Sequence, residues 1–554
     1  MFMKKAWKSS MTLLLTGAVL LTGCTGGSGT TASDPPADSG NNKPSEGSSS
    51  SAHVLGQNPL EFSFYGNYDW YTMPTWGADD SSKWVKENMK VNITPIHSGG
   101  NASQKLNTMI ASASLPDVMW MERGPDVEKL RQAGMLVPFD DYLDKYPNLK
   151  EWLGESGLNL LRSEDGKLYQ FPNWYTSQPN GNAGYVVNKK IYEELGSPKL
   201  ETTEDLYNYL KQVKENYPNI VPFEPHLAKD GQGLNVLYTA FGENVLNTWV
   251  GIRGVPNGDQ LTSIFTDPIY RESMQYSAKL FREKLMSQDA MTQTADQVKE
   301  KVVSGRVAVL ASASPTELGQ LGHIELTKSD PDAGYFMIWP IHKPGLDPKK
   351  VLAGTYTQLG WNVSVITKAA KDPEAIFAFL DWYTGPEGQR TMMWGPEGGY
   401  WDGVEADQTP KFTDKYVTDA EGLVKLQNAT INLIWNGNTV YVDQAKAKYE
   451  STLPIEQRNW ATHWQYEITW KTQGDGTPFI NLDPMPDSEE GIIRQRVEDI
   501  FLESRAKALY AKDDAEVNAV LDKAEADAQS AGYNKLLEYK TKKWQENIQK
   551  MQGK

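Results

Sequence analysis

The chain has 554 residues and a formal net charge of −16 at pH 7, which allows two or three domains and argues against a nucleic-acid partner. Its single cysteine, Cys24, excludes zinc sites built from cysteines and disulfides within the chain. The 18 tryptophans exceed what a core requires, and many stand in polar, turn-like segments where they can line a cleft.

The N-terminus has the order of a secretory signal. Three lysines precede an apolar run over residues 11–21, which is about half the length that a membrane-spanning helix needs. The Leu-Thr-Gly-Cys sequence that ends at Cys24 resembles a bacterial lipobox. This resemblance implies a signal peptide over 1–23, diacylation of Cys24 (palmitate being a typical acyl group) and an anchor on the extracellular face of the bacterial cell membrane. An ordinary secreted protein with a chance cysteine is the alternative.

The predicted signal peptide is followed by a flexible segment and then by a folded part in which strands and helices alternate. Residues 24–56 are rich in Ser, Gly, Thr, Asp and Pro and are predicted to form a flexible tether. From Leu60 onward strands and helices alternate, which favours a parallel sheet covered by helices, with ligands beyond the carboxyl ends of its strands. The predicted strands lie at 60–65, 91–95, 115–120, 167–172, 185–188, 305–310, 336–340 and 361–366, and the predicted helices include 82–89, 104–112, 202–217, 372–385 and the C-terminal part from 488.

No strong catalytic motif is present. The sequence has no Walker loop, no Gly-x-Ser-x-Gly elbow and no His-Glu-x-x-His pair, and its six histidines form no pair at metal-ligand spacing. We therefore expect no cofactor, no metal and no enzymatic activity. Aromatic chemistry remains, because the C–H faces of sugar rings stack on Trp and Tyr while sugar hydroxyls need polar partners. The candidate residues with this character are Trp70, Trp120, Glu122, Trp174, Tyr175, Trp249, Arg253, Trp394, Trp401 and Trp435.

Several segments behind the lipobox together resemble the extracellular solute-binding proteins of carbohydrate ABC transporters, of the family 1 type and most closely its large lipoprotein members. These segments are 106–119, 168–172, 186–196, 305–309, 372–380, 395–398 and 531–535. The resemblance implies an α/β, two-lobe periplasmic-binding-protein-like fold (type II) with a hinge and a ligand cleft between the lobes. Lobe one would comprise 57–184 and about 351–425, and lobe two 185–350 and about 426–554.

The resemblance also implies where a ligand would be contacted. Family contacts follow the first strand, the Pro-Asp strand and the Tyr-x-x-Pro segment, and they map to Tyr68, Trp70, Trp120, Glu122, Asn173, Trp174 and Tyr175. The implied function is capture of a carbohydrate, expected to be an oligosaccharide, in an aromatic cleft and its delivery to an ABC transporter permease. We expect a monomer that meets the membrane only through its lipid anchor.

Three alternatives stay open from the sequence. A surface glycoside hydrolase or lyase would share the aromatic cleft and the many carboxylates. A sensory lipoprotein would bind the same ligand but would signal to a partner kinase. A peptide-binding member of the solute-binding class would use a similar cleft for a different ligand.

Overall fold

The computed structural model describes residues 52–174, 182–227 and 232–553. The predicted signal peptide, the predicted lipidation site Cys24 and the predicted tether up to residue 51 lie outside the described residues, as does Tyr175. The residues from Ala52 onward form one compact unit. Within the described ranges, no helix is both long enough and apolar enough to span a membrane.

Strands and helices alternate along the chain, as the sequence predicts. The strands are β1 (Leu60–Gly66), β2 (Val91–Ile96), β3 (Val118–Glu122), β4 (Phe171–Pro172), β5 (Gly184–Asn188), β6 (Val221–Glu224), β7 (Gly254–Asn257), β8 (Gln260–Ser263), β9 (Val307–Ser312), β10 (Tyr335–Ile338), β11 (Gly354–Tyr356), β12 (Asn362–Ile366), β13 (Trp401–Val404), β14 (Pro410–Phe412) and β15 (Gln473–Asp475). The predicted strand at 167–172 is shorter than expected, because only its last two residues pair in a sheet.

The helices cover the sheets and build the C-terminal part of the chain. They are α1 (Asp80–Asn88), α2 (Ala102–Ser112), α3 (Pro125–Gln132), α4 (Asn148–Leu161), α5 (Lys189–Glu194), α6 (Thr203–Asn216), α7 (Gln232–Thr239), α8 (Thr248–Ile252), α9 (Pro268–Arg282), α10 (Ala295–Val303), α11 (Pro315–Ser329), α12 (Pro373–Thr384), α13 (Pro386–Trp394), α14 (Lys415–Thr418), α15 (Ala420–Ile434), α16 (Thr439–Glu450), α17 (Trp460–Glu467), α18 (Glu489–Leu509), α19 (Asp514–Ser530) and α20 (Tyr533–Met551). The capping box predicted at Thr202 starts α6, and Asp372 with Pro373 starts α12.

The larger sheet, sheet one, is mixed rather than purely parallel. Its strand order is β2-β1-β3-β12-β4. Strand β1 runs parallel to β2 and β3, whereas β12 is antiparallel to β3 and β4. The carboxyl ends of β1, β3 and β4 therefore meet the start of β12 at one edge, which we call the carboxyl edge of sheet one.

The second sheet, sheet two, has the order β10-β5-β9-β6. Strand β5 is antiparallel to β9 and β10, and β6 runs parallel to β9. Every residue of β5 and β9 is buried, as expected for central strands covered on both faces. This sheet is the centre of a second body within the same compact unit.

Each sheet has its own hydrophobic core. The core of sheet one includes Phe64, Met119 and Phe377. The core of sheet two includes Val309 and also residues of the C-terminal helices, such as Phe501. Two separately packed cores are what two lobes would require, and the lobe boundaries given above stay a prediction.

Three segments of the chain meet around Gly354. Strand β11 pairs in parallel with β15. A Cβ atom at Gly354 would overlap the Ala183 side chain and lie 2.7 Å from Oε1 of Gln473, so the segments touch only because this residue is glycine. Gln473 also donates from Nε2 to the Ala183 carbonyl, at 3.4 Å. The hinge that the family resemblance implies stays a prediction.

Candidate ligand-binding site

Side chains from separate segments meet at the carboxyl edge of sheet one. The pairing fixes this arrangement, because Ser364 of β12 is in register with Trp120 of β3 on one side and with Phe171 of β4 on the other. The side chains are those of Tyr68 and Trp70 after β1, Trp120 and Glu122 in β3, Asn173 and Trp174 after β4, and Trp361 and Asn362 at the start of β12. The structure thus brings together the residues predicted at the strand ends, and their role in binding stays a prediction.

The rings of Tyr68, Trp70, Trp120, Trp361 and Trp435 form what we call the aromatic cluster. Trp120 is its centre and stacks on Trp435 with ring centroids 5.1 Å apart and an interplanar angle of 9°. Trp70 and Trp361 meet Trp120 edge-on, at 5.8 Å and 5.7 Å, and Tyr68 lies 4.3 Å from it. Offset and edge-to-face contacts of this kind are the favourable ones between aromatic rings.

The aromatic cluster has a buried base and an exposed rim. Trp120 is fully buried, whereas 57 % of Trp70 and 39 % of Trp361 is exposed. The buried ring holds the others in place, and the exposed indoles present apolar faces to solvent. Exposed aromatic surface on a rigid base is typical of a binding site rather than of a core.

Trp435 reaches the cluster from a distant part of the chain. It ends α15 in the left-handed conformation, with φ 45°. The next residues are anchored, because Asn436 donates from Nδ2 to the Leu380 carbonyl and Asn438 donates from Nδ2 to the Thr384 carbonyl, both at 3.1 Å. Trp174 packs against Gly437 so closely that a Cβ atom there would overlap its indole. The anchored segment that follows α15 therefore positions both Trp435 and Trp174.

Buried N–H donors without partners surround the rings. Within the described residues, no hydrogen-bond acceptor meets Nε1 of Trp120, Trp174 and Trp435, Nε of Arg123 or Nδ2 of Asn173. The side-chain amide of Asn173 is held in place through its oxygen, because Oδ1 accepts a hydrogen bond from the backbone N–H of Asn362 at 3.2 Å. A buried donor left without a partner costs about 1–3 kcal/mol, so native proteins contain few. A ligand rich in acceptor oxygens would satisfy them.

Glu122 and Arg123 add opposite charges beside the cluster. Burial lowers the pKa of the Arg123 guanidinium to about 10, and the Glu122 carboxylate opposes this shift, so Arg123 stays protonated at neutral pH. Burial first, and then Glu122, raise the pKa of the Tyr68 phenol far above its ordinary value, which keeps the hydroxyl neutral. In the described part of the chain, no group of three or more His, Cys, Asp or Glu side chains could hold a metal ion.

Arg123 also positions the loop that carries Trp361. Its Nη1 donates to the carbonyls of Leu359 and Gly360, at 3.0 Å and 2.6 Å. Gly360 has φ 64°, and a Cβ atom there would overlap the Asn173 carbonyl. The loop is thus held between Arg123 and Asn173, and only glycine lets it pass.

The other predicted residues lie outside the aromatic cluster. Trp249 packs on Phe479, and Arg253 pairs with Glu498 at 2.7 Å and covers the Phe501 ring at 3.6 Å. These contacts belong to the packing around the core of sheet two.

Trp394 and Trp401 lie in a second group of rings, the Trp394 cluster, which comprises Trp394, Tyr400, Trp401, Tyr416 and Tyr441 and is largely buried. Trp174 of the candidate site packs against this cluster. The candidate site does not include Trp249, Arg253, Trp394 or Trp401.

Sequence reasoning missed Arg123, Trp361 and Asn362. Arg123 follows the predicted Glu122 directly, but nothing in the sequence shows that it reaches Leu359 and Gly360. Trp361 and Asn362 precede a strand, and the alternation of elements predicts a parallel strand that would place them at the opposite edge. Because β12 is antiparallel to β3, its first residues lie at the carboxyl edge, and the strand direction is the signal that would have identified Trp361 and Asn362.

A model of the family described as bacterial extracellular solute-binding protein matches residues 70–390. The chain belongs to this family. The matched range contains most of the carboxyl edge of sheet one, and the rest of the chain supplies Trp435.

Relatives of this solute-binding protein are similar over parts of their length. The fructooligosaccharide ABC transporter substrate-binding protein FusA of Streptococcus pneumoniae is 28 % identical over 208 residues, which are 34 % of this chain and 38 % of FusA. The polygalacturonan/rhamnogalacturonan-binding protein YtcQ of Bacillus subtilis is 23 % identical over 336 residues, which are 58 % of this chain and 61 % of YtcQ. Lipoprotein LipO of Bacillus subtilis is 24 % identical over 243 residues, 41 % of this chain and 44 % of LipO. The matches thus span less than two thirds of each relative.

Solved structures share the fold over most of the chain. The alginate-binding protein AlgQ2 without calcium ion has a TM-score of 0.66 at 16 % identity, and it covers 88 % of this chain and 98 % of its own. FusA of S. pneumoniae in complex with kestose has a TM-score of 0.65 at 17 % identity, with 88 % and 99 % covered. The predicted α/β, two-lobe fold class is confirmed.

Proposed function

We propose that this solute-binding protein captures an oligosaccharide at the aromatic cluster and delivers it to the permease of an ABC transporter. The observation that carries the proposal is the combination of exposed indoles and buried, unpartnered N–H donors at one edge of sheet one. The lipidated Cys24 would hold the protein at the extracellular face of the membrane, where the permease takes over the ligand.

A sugar chain fits both features of the site. Its C–H faces are apolar and flat enough to stack on Trp70 and Trp361, which are exposed. Its hydroxyl and ring oxygens accept hydrogen bonds, which is what the N–H groups of Trp174, Arg123 and Asn173 lack. An aromatic surface with a few placed polar groups is the usual composition of a small-molecule site.

The two bodies suggest how the ligand would be retained. Movement about the segments that meet at Gly354 would close the second body over the aromatic cluster and exclude water. Closure of this kind commits the ligand to the site until the permease opens it. Binding followed by release, without a chemical step, is therefore the proposed activity.

The names of the relatives support this proposal without fixing the sugar. FusA is named for fructooligosaccharide, YtcQ for polygalacturonan and rhamnogalacturonan, and one FusA structure holds kestose. LipO is named a lipoprotein, which agrees with the proposed anchor.

Calorimetric titration of the purified protein against neutral and acidic oligosaccharides tests the proposal. We expect saturable binding of at least one sugar with no change in the sugar after incubation. A ligand at a hundredfold excess over its Kd should raise the free energy of unfolding by about 2.7 kcal/mol, which a thermal-shift assay detects. Absence of binding across the panel, with binding of peptides instead, would contradict a carbohydrate role, and cleavage of the sugar would indicate a hydrolase or lyase.

The anchor has its own test. Cells that express the full chain are grown with labelled palmitate, and the label should enter the wild-type protein but not the Cys24→Ser variant. The variant should also leave the membrane fraction. Label in both proteins would contradict lipidation at Cys24.

A further inference from the structure

Arg123 places a positive charge at the carboxyl edge of sheet one. Its Nη1 donates to the carbonyls of Leu359 and Gly360, at 3.0 Å and 2.6 Å. Carbonyls are uncharged, so these bonds hold the guanidinium in place without neutralising it. Within the described residues Arg123 makes no other hydrogen bond, and it forms no ion pair with Glu122 or with any other carboxylate.

The pKa of Arg123 agrees with incomplete compensation of its charge. Burial lowers this pKa to about 10, and the opposing effects of the Glu122 carboxylate and the Tyr68 hydroxyl do not restore its ordinary value of 12.5. A charge that leaves water without an ion-pair partner raises the free energy of the folded chain. A ligand that brings a negative charge to Arg123 would offset this cost.

The unused side of the guanidinium has the geometry that a carboxylate needs. An arginine carries five N–H donors, and Nη1 accounts for two of them. The Nε donor of Arg123 is buried and has no partner in the described part of the chain. Together with the adjacent Nη2 it presents two parallel N–H bonds, which match the two oxygens of a carboxylate. The carbonyls on the Nη1 side fix the plane of this fork before a ligand arrives.

Other parts of the candidate site lie beside the guanidinium. Trp361 follows Gly360, whose carbonyl Arg123 binds, and 39 % of Trp361 is exposed. Asn173 holds the same loop from its other side and adds an unpartnered Nδ2 donor. A sugar ring stacked on Trp361 would therefore have a fixed cation and a neutral amide donor near its substituents.

Glu122 carries the same charge as a ligand carboxylate but acts on it less strongly than Arg123. Its side chain is exposed, so water and salt screen its repulsion. Arg123 lies in less polar surroundings, where a direct charged hydrogen bond is stronger. The balance at this edge thus favours an anionic group.

We propose that Arg123 binds the carboxylate of a uronic acid unit through Nε and Nη2, so that the site prefers acidic oligosaccharides to their neutral counterparts. This inference rests on the proposed function and names the ligand class that the same site would take. Relatives are named for ligands of both kinds, so their names do not decide the question.

The first test compares oligosaccharides that differ only at the carboxyl carbon. Calorimetric Kd values are measured for the trisaccharides of galacturonate, mannuronate and glucuronate, for their methyl esters, for the matching trisaccharides of galactose, mannose and glucose, and for kestose. We expect at least one uronate to bind about tenfold more tightly than both its methyl ester and its neutral counterpart. Binding of neutral sugars without such a preference overturns the inference and leaves the proposed function standing. No binding of any sugar overturns both.

The second test replaces the guanidinium. Arg123→Gln removes the charge and the fork, whereas Arg123→Lys keeps the charge alone. The ratio of neutral Kd to uronate Kd should fall about tenfold in Arg123→Gln and by a smaller factor in Arg123→Lys. A displaced Trp361 loop would weaken both ligands and leave this ratio unchanged, so the ratio separates recognition of the carboxylate from support of the loop. Arg496→Gln is the control for net charge, since Arg496 is exposed on α18 and should keep the wild-type ratio.

Two results of this test would contradict the proposal. A ratio in Arg123→Gln within twofold of wild type, in a folded sample, would show that another group recognises the carboxylate. An equal fall in Arg496→Gln would assign the preference to net charge. Added salt should lower the ratio in wild type and change it little in Arg123→Gln, because salt screens the attraction between the guanidinium and the carboxylate.

Discussion

The aromatic cluster and the Trp394 cluster are built from the same residue types, and each has a buried indole N–H without a partner among the described residues, that of Trp394 in the second, but the two clusters differ in exposure. In the Trp394 cluster the Trp401 indole donates to the Gly395 carbonyl at 2.8 Å, and the Tyr400 and Tyr416 hydroxyls donate to Asp419 and Glu450. In the aromatic cluster the indole N–H groups of Trp120 and Trp435 have no partner in the described residues, and Trp70 is mostly exposed. The comparison teaches that exposed ring faces beside the unsatisfied donors, rather than aromatic density or unsatisfied donors alone, mark the binding surface.

Truncation of the buried ring in the Trp394 cluster should give the largest effect on stability. Trp394 is fully buried and packs edge-on against Phe412 at 5.0 Å. We expect Trp394→Ala to lower the free energy of unfolding by about 3–5 kcal/mol, the range for large aromatic side chains in cores. Denaturant unfolding followed by far-UV circular dichroism measures this change.

The same variant tests whether the two clusters are separate in function. Below its melting temperature, Trp394→Ala should bind oligosaccharide with a Kd within about threefold of wild type, because the ring does not belong to the candidate site. A tenfold loss of affinity in a fully folded sample would show that the Trp394 cluster takes part in binding.

Substitution of Gly360 should disturb the aromatic cluster through the backbone. A left-handed conformation costs a non-glycine residue about 1–2 kcal/mol, and a Cβ atom here would also displace the Asn173 carbonyl. We expect Gly360→Ala to lower the free energy of unfolding by about 2 kcal/mol or more and to weaken ligand binding, because Trp361 would move.

Gly258 offers a matched control for this prediction. It has φ 65°, close to the value of Gly360, but no atom lies within 4 Å of a Cβ placed there. Gly258→Ala should therefore show only the backbone cost and normal ligand affinity. Equal behaviour of the two variants in calorimetric titration would mean that the contact with Asn173 does not position the loop.

Trp70 should matter for binding and less for stability than Trp394. Its ring is 57 % exposed but meets Trp120 edge-on, so Trp70→Ala should lower the free energy of unfolding by about 1 kcal/mol, well below the loss expected for Trp394→Ala. Loss of a stacking surface should weaken ligand binding about tenfold, equivalent to about 1.4 kcal/mol. Tyr510→Ala, at a 62 % exposed ring in the C-terminal part, is the control and should bind normally. An unchanged Kd for Trp70→Ala would remove the exposed rim from the site.

The residues at the carboxyl ends of β1 and β3 could be predicted from the sequence, because they depend only on the local succession of strands and helices. Strands and helices alternate from Leu60 to Glu122, and parallel strands place their carboxyl ends at one edge, so Tyr68, Trp70, Trp120 and Glu122 were expected together. The direction of β12 could not be read in this way. That strand begins where the chain returns from the other sheet, and its antiparallel pairing with β3 is a long-range contact.

Which tryptophans are buried could not be predicted from the sequence either. The Gly-rich segment around Trp394 and Trp401 resembles a cleft loop in composition, but Tyr441 of α16 packs against Trp394 and completes a closed cluster. Trp435 was expected as one more loop tryptophan, and its stacking on Trp120 depends on residues 315 positions apart in the chain. Such contacts are set by the packing of helices, which no local pattern encodes.

A buried carboxyl, Glu450, should make the stability of the Trp394 cluster depend on pH, and this effect is the smallest of those predicted. Glu450 is 2 % exposed and accepts from the Tyr416 hydroxyl at 2.7 Å and the Asn459 N–H at 2.8 Å. Burial raises the pKa of this carboxyl above its ordinary value of 4.5 in the folded chain. Between the two values the folded state holds the additional proton, so Glu450 lowers the free energy of unfolding as pH rises, by at most about 1.4 kcal/mol per pH unit.

Glu450→Gln should flatten this part of the pH profile, because glutamine cannot ionise. Its Oε1 can accept from the Asn459 N–H, and its Nε2 can donate to the Tyr416 oxygen once that hydroxyl turns. Other buried carboxyls contribute equally to wild type and variant, so the difference between the two profiles isolates Glu450. Glu456→Gln, at an exposed neighbour, should reproduce the wild-type profile. Ligand affinity at each pH should be the same in Glu450→Gln and wild type, since Glu450 stabilises the Trp394 cluster and not the aromatic cluster. A variant whose stability profile is unchanged would mean that Glu450 is already ionised in the folded chain and that its hydrogen bonds outweigh its burial.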